Sequence, residues 1–182
     1  TGDSIKAGDQ QNAKAVHEFE SVKLLEQIQA FNKGIDPTFG ELPDKKTFIF
    51  PGAAADPNCK SKKSLKNRMM KKQKAGARFI QTQMVMEKQC LLEFCEEISN
   101  PLEIPVIAGV FLLKSYKNAL FINKYVPGAN IPESILNRLK DARDPLQEGI
   151  QIAAEQAHDF MNIANGIHLM AVKAEHLIPE II

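Results

Sequence analysis

The sequence has little of what marks several large protein classes. Its net charge is +1 over 182 residues, so no global excess of positive charge draws it to nucleic acid. It has no run of 18 apolar residues, and hence no candidate membrane span. The opening residues carry no signal-peptide pattern. Cysteine is scarce: Cys59, Cys90 and Cys95 form no CxxC pair, and their odd number speaks against a disulfide framework. Cys90 and Cys95 fall in an apolar helical pattern and read as core thiols. A reducing, cytoplasmic setting is expected. No GxGxxG or phosphate-loop spacing occurs. His17, His158, His168 and His176 are scattered without metal-ligand spacing, so no metal site is expected. His168, inside an apolar run, reads as a hydrogen-bonded core histidine. No nucleophile–base constellation is legible.

What is present is an alternation. At 44% hydrophobic the chain can bury one sizeable core. Residues 21–33 carry apolar side chains at helical spacing and stop at Gly34. A Gly- and Pro-rich loop over 34–45 precedes a predicted strand over 46–54 and a lysine-rich helix over 61–74. Further strands are predicted at 77–85, 105–113 and 166–172. Helices are predicted at 87–99, 115–126, 131–142, 144–164 and 175–182. Strands separated by helices favour a parallel α/β sheet, because parallel neighbours need a crossover. Near-continuous apolar runs suggest strands covered on both faces. Repeating units of about 30 residues suit an open doubly wound sheet or a piece of a (β/α)8 barrel.

The stretch GARFIQTQMV, residues 76–85, places Gln81 and Gln83 two apart in a strand pattern, on the same face as Phe79. Two amides on one face suggest a polar interior, since an unpartnered buried amide costs about 1–3 kcal/mol. Gln83 falls near the strand's carboxyl end, where an amide suits a heterocycle with a mixed edge or bonds a neighbouring loop. Gly52 and the alanines after it either admit a flat ligand or serve tight helix–strand packing. Asp3 and Asp9 suit either turn chemistry or stabilisation of a cation. The lysines of 60–74, with Arg68 among them, are mainly a solvated face, with one or two of these cations at the inner edge able to meet a phosphate or carboxylate. The opening TGD looks like the end of a strand whose beginning is missing.

The segments TGDSIKAGD, AVHEFESVKLL, GAAADPN, KKQKAGARFIQTQMV, IPVIAGVFLLKS, VPGANIP and GIHLMAV, in this order, resemble methylenetetrahydrofolate reductases. The type resembled is that of bacterial and archaeal one-carbon pathways in anaerobes. The resemblance covers essentially all 182 residues. It implies one barrel domain over residues 1–182, a (β/α)8 fold of which this chain holds the end of strand four through strand eight. It also implies a bound flavin, FAD or FMN, and a folate whose methylene is reduced to methyl in one-carbon metabolism and methionine biosynthesis. The family's first half carries a glutamate taken as general acid, which this chain lacks. A half barrel would need missing residues or a partner chain to complete it, and a homo-oligomer is compatible with it. The electron donor would be a nicotinamide (NADH or NADPH), ferredoxin or a partner protein.

Carried over residue by residue, the resemblance gives these expectations. Asp3 lies beside flavin and folate and favours the iminium cation. Thr1 and Gly2 contribute backbone near the flavin ring. Gly52 falls where some members place a flavin-contacting aromatic. Lys72 meets the ribityl or phosphate part of the cofactor. Gln81 lies near the flavin, Gln83 binds the folate ring, and Phe121 packs on the folate. Met170 sits where other members have a tyrosine by the flavin, and Glu18 and Glu20 stand where aspartates are usual. A flavin-free, non-catalytic folate-binding subunit is the first alternative expectation, and a different flavin-dependent or folate-using barrel is the second.

Overall fold

The computed structural model describes residues 19–43 and 46–182. In chain order these form α1 (Ser21–Asn32), β1 (Ile35–Asp36), β2 (Gly40–Glu41), β3 (Gly52–Ala55), α2 (Lys62–Lys74), β4 (Phe79–Met84) and α3 (Lys88–Phe94). Helix α3 runs on as a π turn, Cys95–Ser99. Then come β5 (Val106–Phe111), α4 (Tyr116–Tyr125), α5 (Glu133–Asp141), α6 (Pro145–Met161), β6 (Gly166–Met170) and a 3-10 segment, Glu175–Glu180. Pro179 inside that last segment accounts for its not being the α-helix expected there.

Strands β3, β4, β5 and β6 form one sheet in that order, and every pairing is parallel. This is the α/β arrangement that the strand–helix alternation predicts. The four strands make an open sheet, not a closed barrel. Burial alternates along β3 and β4, so only one face is sealed, against the expectation that both would be covered. Ala53, Ala55, Ile80, Val106, Ala108 and Val110 face a core shared with Leu65 and Met69 of α2, Phe94 of α3 and Phe160 of α6. Full burial of a side chain such as Ile80 or Phe160 contributes about 1.5–3 kcal/mol. A second cluster joins Met84 to α4, α5 and α6 near the carboxyl ends of the strands. Gly52, Ala54 and Gln81 lie on the exposed face.

Helix starts follow local chemistry. Ser61 Oγ accepts the Ser64 N–H to cap α2, Ser115 Oγ caps α4 through Asn118, and Asp144 caps α6 ahead of Pro145. Arg138 of α5 forks onto Glu148 and Glu155 of α6 at 2.7 and 2.6 Å.

The predicted strand over 46–54 is mostly not strand. Residues 46–50 run along the end of α1 instead. Asn32 donates to the Ile49 carbonyl at 2.8 Å and accepts from Ile49 N and Thr47 Oγ1 at 2.9 and 2.7 Å. Those bonds occupy backbone that a sheet would need. Phe48 and Phe50 are left 86% and 70% exposed. The predicted loop over 34–45 holds a two-residue antiparallel bridge, β1 with β2.

Candidate functional site

A cleft of about 530 Å3 opens at the carboxyl ends of the parallel strands. Ala54, Ala55 and Asp56 line it from β3, Gln81, Thr82 and Gln83 from β4, and Met170 from β6. Helix α2 forms its side wall through Leu65, Arg68, Met69 and Lys72. Alanines at the end of β3 leave the floor close to backbone.

The end of β4 is irregular. Its register against β5 shifts between Gln81 and Met84. Thr82 turns into the protein and its Oγ1 accepts the Gly109 N–H at 2.9 Å. A Cβ on Gly109 would lie 2.9 Å from the Thr82 and Gln83 carbonyl oxygens, so only glycine fits beside this bulge. Gln83 is half-buried, and its Oε1 accepts the N–H of Met84 at 3.0 Å. Gln81 is exposed.

Helix α2 brings two cations to the cleft, four residues apart and so on one face. Lys72 Nζ donates to the Ala54 carbonyl at 2.7 Å, holding the outer edge of β3. Burial, and then the Arg68 guanidinium, lower the Lys72 pKa from its ordinary value. Arg68 Nη2 lies 3.2 Å from Cys59 Sγ. Neither cation has an ion-pair partner among the described residues.

Of the residues singled out by sequence, Lys72, Gln81, Gln83 and Met170 meet in this cleft. Thr1, Gly2 and Asp3 lie outside the described residues. Gly52 sits at the opposite end of β3 from the cleft, directly under the Phe79 ring. Phe121 is 57% exposed on α4, with its ring 4.8 Å from that of Tyr125. Ala119 and Ile122 take the buried face of α4, which turns Phe121 outward, away from the cleft. His168 is not the hydrogen-bonded core histidine expected. Its Nδ1 is buried without a hydrogen-bond partner among the described residues, and its neighbour across the sheet is Gly109. Cys95 is buried in the core, and Cys90 is half-buried with its Sγ 3.3 Å from Asn58 Oδ1.

Sequence reasoning missed Asp56 and did not single out Arg68 from the other cations of 60–74. Asp56 hides in a DPN turn signal, and Arg68 is one cation among many on α2. The available signal was position: Asp56 follows the last strand residue of β3, and Arg68 is one helical turn before Lys72. Among the described residues no three His, Cys, Asp or Glu side chains stand close enough to hold a metal. No described helix is long and apolar enough to cross a membrane.

The fold is similar to that of an uncharacterized protein from Clostridium thermocellum that binds two copies of 5-methyl-5,6,7,8-tetrahydrofolic acid, with TM-score 0.56 and 17% sequence identity. The match covers 77% of this chain and 52% of that one, so the chain spans about half the length of that structure. At this identity the likeness is one of fold. No curated protein matches the sequence. The sequence model of methylenetetrahydrofolate reductase matches residues 1–182, and the chain belongs to that family.

Proposed function

We propose that this chain is part of a flavin-dependent reductase that converts 5,10-methylenetetrahydrofolate to 5-methyltetrahydrofolate. One observation carries the reading. In a chain of this family, Lys72, Gln81, Gln83 and Met170 meet in one cleft at the carboxyl ends of parallel strands. Barrels and open α/β sheets carry their chemistry at that end. The cleft volume suits a ligand pocket, typically about 300–1,000 Å3.

The lining fits a flavin. Ala54 and Ala55 present only methyl groups, Met170 is apolar, and Arg68 with Lys72 places two cations for the phosphate of FAD or FMN. When bound, the flavin supplies hydride transfer to the folate methylene carbon. The chain's own part is to bind and orient. Lys72 and Arg68 hold the cofactor's anionic part, and Gln81 lies beside its ring. Gln83 bonds the pterin edge, and Asp3 stabilises the cationic iminium form of the substrate in a site that partly excludes water. Thr1 and Gly2 add backbone beside the ring. The remaining barrel strands, and the general acid, come from outside the described residues or from a partner chain. NADH, NADPH or an electron-donating protein supplies the electrons.

A second reading is a folate-binding subunit without flavin. The Clostridium thermocellum protein, which binds 5-methyltetrahydrofolate copies, favours it, as do Gly52 and Met170 where the family resemblance expects aromatics. Visible spectroscopy of the purified full-length protein separates the two. Flavin absorbance that bleaches with reductant and returns on adding methylenetetrahydrofolate is the expected result. A colourless protein that binds 5-methyltetrahydrofolate supports the second reading, and binding of neither ligand refutes both.

A further inference from the structure

Helices α2 and α3 carry opposite charge and lie side by side. Residues 57–86 hold nine Lys and Arg and no Asp or Glu, while residues 87–103 hold five Glu and one Lys. Lys62, at the start of α2, pairs with Glu93 of α3 at 3.6 Å. Gln73, near the end of α2, donates to the Leu102 carbonyl beyond the π turn. The two helices therefore run in the same direction, over the same face of the sheet.

Leu65 and Met69 take the buried side of α2, and Lys63, Lys66, Lys71 and Lys74 stand exposed. On the neighbouring strip Leu91, Phe94 and Ile98 are buried, and Glu96, Glu97 and Glu103 are exposed. None of these exposed charges has an ion-pair partner among the described residues. Folding alone gives no reason for the segregation. Like charges three or four residues apart destabilise a helix, and the first turn of α2 has no acid where the helix dipole favours one.

A long polyanion laid on α2 would also cover the acidic strip beside it. A fitting surface carries acid opposite α2 and base opposite α3, and a second copy of this chain offers one. A two-fold axis between the two helices and parallel to them sets α2 of each copy against α3 of the other. An axis across them would set α2 on α2 and α3 on α3, which the charges oppose.

We propose that this face is a self-complementary contact between two copies of the chain, α2 of each lying on α3 of the other. Single exposed ion pairs contribute little. The charges therefore set the orientation of the contact, and salt weakens it.

Sedimentation velocity of the full-length protein tests this. Wild type should form a dimer at low salt, with a Kd that rises about tenfold or more between about 50 and 500 mM salt. The triple variant Lys63→Glu, Lys66→Glu, Lys71→Glu should be monomeric, and so should Glu96→Lys, Glu97→Lys, Glu103→Lys. Mixed in equal amounts, the two should form a dimer holding one of each, which a misfolded variant could not do. A wild type that stays monomeric overturns the proposal, and if it then binds duplex DNA through α2 the face belongs to nucleic acid. A wild-type dimer indifferent to salt, triple variants that dimerise as wild type does, or a mixture without mixed dimers overturns it equally.

Discussion

Thr82 Oγ1 takes the N–H of Gly109 at 2.9 Å, a side chain standing in for sheet backbone where β4 and β5 lose register. Thr82 in turn donates to the Gln83 carbonyl at 2.7 Å. Thr82→Val keeps the shape and removes both bonds, leaving a buried N–H unpaired. It should cost about 1–3 kcal/mol, while Thr82→Ser should cost less. Denaturant unfolding measures both, and a Val variant as stable as wild type would mean that the Gly109 N–H has another partner.

Gly52 has its explanation in packing. The Phe79 ring covers its Cα and stacks on Phe50 at 5.8 Å and 11°. Gly52→Ala should displace that ring and destabilise by about 1–3 kcal/mol. Adding Phe79→Ala should make the Gly52→Ala step nearly free. Equal costs of Gly52→Ala in the two backgrounds, read as melting temperatures, would disprove the contact.

Gln83 has two separable jobs. Gln83→Ala should weaken folate binding by about twofold to tenfold, or somewhat more, with flavin content unchanged. Gln83→Glu keeps an acceptor for Met84 N–H and loses the donor. It should weaken folate binding while leaving the melting temperature closer to wild type than Gln83→Ala does. Loss of flavin with unchanged folate affinity would exchange the roles assigned to Gln81 and Gln83.

The thiols give a pH prediction. Burial pushes both the Cys90 and Cys95 pKa values up, so each holds less thiolate at neutral pH than a free cysteine. Alkylation of both should therefore be slow at neutral pH and accelerate as pH rises. Cys95, buried in the core, should react last. Peptide mass spectrometry after timed iodoacetamide labelling reads the order. A folded protein that labels at Cys95 as fast as the unfolded chain would contradict it.

The alternation of strand and helix was legible because apolar period and turn residues agree over most of the chain. The end of β4 was legible in part: period two brought Gln81 and Gln83 to one site, but nothing in sequence shows the bulge or the fixing of Gln83 by Met84. Residues 46–50 misled because Phe48, Ile49 and Phe50 have strand composition, and the competing bonds come from Asn32, a distant amide. Asp56 was hidden because a turn motif already explains an aspartate there. Among the α2 lysines, spacing alone does not separate Lys72, which the family resemblance singles out and packing puts on the cleft wall, from Lys66 and Lys74, which are exposed.

Asn58 lies two residues past Asp56, in the turn after β3. Its one amide reaches three places: Nδ2 donates to the carbonyls of Gly128 at 3.0 Å and Met84 at 3.4 Å, and Oδ1 lies 3.3 Å from Cys90 Sγ. The turn after β3, the end of β4, the loop after α4 and the start of α3 are thus pinned at one point. Mechanically they form a single brace. Ligand entry cannot open one of these segments without loading the rest, so amide hydrogen exchange in all four should slow together when the cleft is filled.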